Sequence, residues 1–184
     1  MRKILILVSL ATFTACNSGS DSAKVETTAA TDSSKTDNLT YPYTANYSSK
    51  FEIGDPNNAL TVLELYKDWD NNTFDNSKNR FADSVLLAFS DGSVLSGNRD
   101  SVFNAAKQFR NTMGTVKSVP VAWTALKSTD KGDNWVLVWF TEHRTAANGK
   151  MDSTYYQETW RLNKDGKVDR FYQYAANPTP PTKK

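Results

Sequence analysis

The order of elements in this sequence predicts an α+β fold, with helices first and a long antiparallel meander after them. Three observations carry that expectation. Apolar residues recur at helical spacing in two stretches before residue 114. After Gly114 the pattern changes to the alternation of strands. Asn148-Gly149 and Asp165-Gly166 are favoured hairpin dipeptides, and they cut the second half into neighbouring strands. A sheet built this way buries one face against the helices.

The first helix begins at Asp55-Pro56, a capping carboxylate followed by proline at the first helical position. Ala59, Val62, Leu63, Tyr66 and Trp69 then form one apolar face, and the helix is predicted to run to about Asn71. A short, weaker helix is predicted over 76–81. Residues 84–89 read as a strand, with Asp91-Gly92 as a turn into a second strand at 93–96. Gly97-Asn98 opens the next helix. Val102, Ala106, Phe109 and Met113 form its buried stripe, and Gly114 ends it. Val119, Val121, Trp123 and Ala125 alternate with other residues, and strands follow at 135–145, 150–163 and 167–174.

The two turns predict which residues share a face. If Asn148-Gly149 is a two-residue turn, Ala147 stands opposite Lys150. Trp139 then faces Glu158, Thr141 faces Tyr156, and His143 faces Thr154. The same reasoning at Asp165-Gly166 sets Trp160 opposite Phe171 and Glu158 opposite Gln173. One face is therefore predicted to carry Trp139, Thr141, His143, Tyr156, Glu158, Trp160, Phe171 and Gln173. The other carries Val138, Phe140, Glu142, Tyr155, Gln157, Arg161, Arg170, Tyr172 and Tyr174. A single bulge exchanges these sets on one strand.

The flanks are different in kind. Met1-Arg2-Lys3 is basic, residues 4–11 are apolar, and small residues lead into Cys16, the one cysteine of the chain. This is the layout of a signal peptide over 1–15, with an apolar run too short to span a bilayer. It resembles a bacterial lipoprotein signal, because Cys16 follows Ala15 directly. The resemblance implies that Cys16 is acylated and becomes the first residue of an exported, membrane-anchored protein of the bacterial cell envelope. Residues 16–49 then read as the lipidated cysteine and a tether, whose Ser, Thr, Ala, Asp and Lys bury too little apolar surface to fold. The folded domain is expected over 50–176, with a Pro-rich tail at 177–184.

Composition excludes several functions. The 184 residues hold 22 Lys+Arg against 20 Asp+Glu, a net charge of +2. Removing 1–15 takes away Arg2 and Lys3 and leaves the rest neutral, which argues against nucleic acid as a partner. One His and one Cys exclude a multi-histidine metal site and a thiolate cluster. There is no glycine-rich phosphate loop and no nucleophile elbow, so no cofactor and no metal are expected.

Several segments together resemble the nuclear transport factor 2-like superfamily, in the style of its SnoaL-like polyketide cyclases and ketosteroid isomerases. They are Leu65-Tyr66-Lys67-Asp68-Trp69, Phe81-Ala82-Asp83-Ser84-Val85, Asp91-Gly92, Gly97-Asn98-Arg99-Asp100-Ser101-Val102 and Trp160 to Val168, ahead of Gln173-Tyr174. The resemblance spans about 56–176. It implies a cone: a curved antiparallel sheet packed on the N-terminal helices, with a pocket at the open end and an outer face that often makes a dimer. In the isomerase branch a first-strand carboxylate moves a proton, and Phe89 or a close neighbour stands there. A second carboxyl group donates to an oxyanion, and Glu158 matches it, with Tyr66 as the assisting tyrosine. The fold alone does not assign an activity.

The expected pocket residues are Tyr66, Trp69, Trp139, Thr141, Tyr156, Glu158, Trp160, Phe171 and Gln173. Their aromatic rings suit a small apolar or aromatic ligand. Glu158 reads equally as a pocket acid and as a structural bond to Gln173, Tyr156 or an indole. His143 reads as a rim residue rather than a base. The leading expectation is binding without catalysis. An isomerase, cyclase or hydratase using Glu158 and His143 is the first rival. A protein-interaction module working through the aromatic second face is the other, and that face is expected to form a homodimer or to be covered by 41–51.

Overall fold

The computed structural model describes residues 39–146 and 148–176. The signal segment 1–15, Cys16, most of the tether and the tail 177–184 lie outside them. The chain divides into two units, Met1–Pro42 and Tyr43–Lys184. Of the first, residues 39–42 are described and carry no helix or strand. The second is an α+β domain.

Its strands are β1 (Phe51–Ile53), β2 (Phe81–Ala88), β3 (Val94–Asn98), β4 (Thr115–Ser128), β5 (Asn134–Thr145), β6 (Met151–Leu162) and β7 (Val168–Ala176). Its helices are α1 (Pro56–Asp70) and α2 (Arg99–Thr112), with a 3-10 helix at Phe74–Arg80 between them. Asp55 caps α1 by accepting the Asn57 N–H at 2.8 Å, and Asn98 caps α2 by accepting the Asp100 N–H at 2.8 Å. The buried faces are Ala59, Val62, Leu65 and Tyr66 on α1, and Val102, Phe103, Ala106 and Arg110 on α2. Among the described residues no helix is long and apolar enough to cross a membrane.

The strands form one sheet in the order β1-β4-β5-β6-β7-β2-β3. Its inner face meets the helices around a core that includes Val62, Leu65, Val136, Val138, Phe140 and Leu162. The sheet is mixed, which corrects the all-antiparallel expectation: β2 pairs with β7 in parallel. Hairpin dipeptides specify only neighbours in sequence, and this contact joins two strands far apart along the chain. Strand β1 was not foreseen. It is three residues long and pairs with the far end of β4. Tyr47 and Ser48, just before it, donate to Asp133 at 2.6 Å and Asp130 at 2.5 Å, and the Tyr47 ring meets Trp135 edge-on.

The predicted register fails on β5 and holds on β7. The Ala146 N–H donates to the Lys150 carbonyl, and Thr145 stands opposite Met151, so the first turn is one residue longer than two. Val138 therefore faces Glu158, and Phe140 faces Tyr156. The second turn is also long, closing from the Asn163 N–H to the Lys167 carbonyl. There an irregularity between Arg161 and Leu162 skips Asp169 and restores the predicted pairs Trp160 with Phe171 and Glu158 with Gln173. One uncompensated residue thus turns β5 over.

Two further interactions fix the helices. Arg110 is 3 % exposed and donates to the carbonyls of Trp69 at 2.6 Å, Asp70 at 3.0 Å and Gly114 at 3.2 Å. The Asp70 carboxylate accepts the Ser118 N–H at 2.8 Å and hydroxyl at 2.9 Å, joining α1 to β4. Gly114 does follow α2, but for a different reason from a left-handed cap. A Cβ there would stand 2.0 Å from the Thr145 carbonyl oxygen.

Candidate functional site

Between the inner sheet face and the helices lies a cavity of about 420 Å³, within the usual range for small-molecule sites. Its walls are mostly aromatic and aliphatic side chains from α1, α2, the 3-10 helix and strands β2, β3, β5, β6 and β7. The exposed members of its lining, Ser90, Asp91, Ser93 and Phe109, mark its mouth.

Helical spacing on α1 turns Tyr66 and Trp69 toward the sheet, where both line the cavity. Alternation on β6 brings Tyr156, Glu158 and Trp160 to the same face, and on β7 Phe171 and Gln173. These rings form a continuous wall. Tyr66 lies 4.8 Å from Phe140 and 5.9 Å from Trp160, and Trp160 lies 4.5 Å from Phe171, centroid to centroid.

A polar relay crosses this wall. Trp160 Nε1 donates to the Tyr66 hydroxyl at 3.2 Å, and that hydroxyl donates to Glu158 Oε2. Gln173 Nε2 donates to Glu158 Oε1 at 2.8 Å, and Ser90 Oγ donates to Gln173 Oε1 at 3.1 Å. Glu158 is 4 % exposed. Burial pushes its carboxyl up to about 7, opposed by the Tyr66 and Gln173 hydrogen bonds and reinforced by nearby Glu142. Burial, then the Glu158 charge, holds the Tyr66 hydroxyl well above the ordinary phenol value.

A second cluster comes from β5. Arg144 Nε donates to the buried Glu142 at 2.5 Å, and Arg144 Nη2 donates to the Tyr156 hydroxyl at 2.7 Å. All three line the cavity. At the mouth, Asp91 accepts the Ser93 N–H at 2.8 Å and hydroxyl at 2.6 Å, and those bonds lower its pKa.

Seven of the nine expected pocket residues line this cavity: Tyr66, Trp69, Tyr156, Glu158, Trp160, Phe171 and Gln173. Trp139 and Thr141 do not, which corrects their placement. The turned β5 puts them on the outer face, opposite Gln157 and Tyr155. His143 goes with them, and its Nδ1 lies 2.7 Å from Ser153 Oγ, away from Glu158. In their place stand Phe140 and Glu142, which two-residue turn geometry assigned to the opposite face, and Arg144, which it did not single out. Phe109 and Met113, read as buried stripe, line the cavity, and Phe109 is 54 % exposed. Phe89 is also in the lining, where the isomerase resemblance asks for a base. Among the described residues no group of three or more His, Cys, Asp and Glu could hold a metal ion.

An open mixed sheet packed on helices, with a ring-lined cavity between them, is the NTF2-like fold, and solved structures share it. One is an NTF2-like protein of unknown function from Burkholderia pseudomallei K96243, with a TM-score of 0.53 and 19% identity, covering 65% of this chain and 91% of that one. Another, from Exiguobacterium sp. 255-15, has a TM-score of 0.51 at 16% identity and covers 64% of this chain and 98% of its own. A third is the epoxide hydrolase/cyclase-like enzyme SalBIII of pyran ring formation in the polyether salinomycin. It has a TM-score of 0.51 at 16% identity and covers 65% of this chain and 91% of its own. Identities this low establish the fold and nothing finer. No protein-family model matches the sequence, and no curated protein does.

Proposed function

We propose that this protein is an exported, membrane-anchored lipoprotein whose cone domain binds a small, largely apolar or aromatic molecule without transforming it. One observation carries the binding reading: a cavity of about 420 Å³ with ring-lined walls and a few placed polar groups, Glu158 with Tyr66 and Gln173 among them. Apolar walls supply affinity and a few placed polar groups supply orientation. The absence of turnover is inferred from the resemblance, which puts Phe89 or a close neighbour where the isomerases carry a base, and from His143 lying on the other sheet face. Anchoring rests on the sequence of residues 1–16 alone.

Native mass spectrometry of the protein after exposure to lipid and metabolite extracts tests the binding. A reproducible added mass of a few hundred daltons is expected, and recovery of empty protein from every extract would refute it. Cys16→Ser is expected to move the protein from the membrane to the soluble fraction. Unchanged membrane fractionation would refute the anchor.

A second reading has its own support. Glu158, with its carboxyl near 7 and Tyr66 bound to it, is equipped to exchange a proton with a guest. Chemical change in the bound molecule over time would favour that reading over simple binding.

A further inference from the structure

We propose that the cone takes an organic ammonium, a guest with an apolar or aromatic body whose positively charged nitrogen lies against Glu158 inside the ring wall. This rests on the cavity being a ligand site, as proposed above, and names the chemistry of its guest.

The first argument is charge. A buried carboxylate is costly unless a cation faces it. Among the described residues, the side chains donating to Glu158 are Tyr66 and Gln173, and both are neutral. Arg144 is the one cation in the cavity lining, and it is already held by Glu142 and Tyr156. The lining otherwise carries Glu142, Glu158 and, at the mouth, Asp91. The cavity therefore has more acid than base, and the surplus is deepest at Glu158.

The second argument is the wall. Phe140, Tyr66, Trp160 and Phe171 form a chain of rings beside this carboxylate, with neighbouring centroids 4.8, 5.9 and 4.5 Å apart. Ring faces attract cations, most strongly where water is excluded. The third argument is capacity. Each Glu158 oxygen accepts one hydrogen bond from the protein and retains a lone pair for a guest. An anionic guest meets repulsion here, and a neutral one leaves the acid uncompensated.

The proposal also fixes a proton linkage. The titratable and charged groups that share the cavity with Glu158 are Tyr66 on α1, Glu142 and Arg144 on β5, Tyr156 on β6, and Asp91 in the β2–β3 turn. On α2 the lining is Ala105, Ala106 and Phe109, with Met113 just after it, none of them charged. Burial holds the Glu158 carboxyl at about 7. A cation seated against it drives the proton off.

Two probes of the same shape decide the matter. Benzyltrimethylammonium carries a permanent charge and no titratable proton, and neopentylbenzene is its neutral carbon isostere. In titration calorimetry at pH 7.5 the cation is expected to bind about tenfold or more tightly than the isostere. At pH 6, titrations in buffers of different ionisation enthalpy are expected to show close to one proton released per cation bound, and at pH 8.5 close to none. Glu158→Gln is expected to erase both the preference and the proton release. If that variant fails to fold, the comparison on the unaltered protein decides alone. Equal or tighter binding of neopentylbenzene overturns the ammonium class and leaves the cavity standing as an apolar site. Failure of the cation to bind at millimolar concentration overturns the ammonium class, and the extract experiment above then decides separately whether the cavity is a ligand site.

Discussion

Glu158→Gln offers a measurement of what burying this acid does to the fold. The folded carboxyl titrates at about 7, against 4.5 for the free side chain. Between those values the folded state holds a proton that the unfolded chain has released. Stability therefore falls as pH rises through that window, because the folded state binds more protons than the unfolded one. With about 1.4 kcal/mol for each pH unit between the two values, the full loss is about 3 kcal/mol. It is absent below pH 4.5 and complete above pH 7. Glutamine has the shape of the neutral acid and carries no proton, so the variant lacks this slope. Urea unfolding of both proteins from pH 4 to 8.5 gives the difference, in which the other titrating groups cancel to first order. The unaltered protein is expected to lose about 3 kcal/mol relative to the variant across the window. A flat difference would refute the burial argument. A difference of opposite slope would mean that the Tyr66 and Gln173 hydrogen bonds stabilise the carboxylate by more than burial opposes it.

Gly114→Ala places a Cβ 2.0 Å from the Thr145 carbonyl oxygen, so the junction of α2 and β4 must shift. A loss of about 2 kcal/mol or more is expected in thermal or urea melts, and an unchanged midpoint would show that the junction yields. Phe140→Ala and Trp139→Ala test the direction of β5. Phe140 is 1 % exposed and its truncation is expected to destabilise by about 3–5 kcal/mol, whereas Trp139→Ala on the outer face is expected to cost less than half as much. The reverse order would mean that β5 faces the other way.

Much of the domain was legible because local chemistry decided it. Asp55-Pro56 and Asn98 announced two helix starts, and Tyr66, Trp69 and Glu158 announced the floor of the cavity. What was hidden depended on counting. Both Gly-containing dipeptides do mark turns, with Gly149 at φ 78° and Gly166 at φ 68°. Each turn nevertheless holds one residue more than the dipeptide suggests. A skip at Asp169 absorbs the extra residue on β7, and nothing absorbs it on β5. No property of Asn148-Gly149 distinguishes the two cases. Trp139, Thr141 and His143 were therefore misplaced, and Glu142 and Arg144 were missed as cavity residues. Arg110 was missed for another reason. It stands four residues after Ala106 on the buried stripe of α2, where periodicity asks for an apolar side chain. That charge in an apolar row was the available signal.

Arg110 has a consequence for what the cone can admit. Its guanidinium binds the last carbonyls of α1 and the carbonyl that follows α2, so two walls of the cavity are pinned at a single point. Prying the helices apart would strip the two charge-assisted hydrogen bonds to α1, each worth roughly 1.5–3 kcal/mol. A guest cannot recover that by filling a slightly wider space. The adjustable part lies at the mouth, where Phe109 is more than half exposed and Met113 has rotamers to spare. The domain is thus built to select by girth and to be indulgent about length. A slender molecule with a long tail is free to protrude past Phe109, and a broad rigid one is turned away at the door.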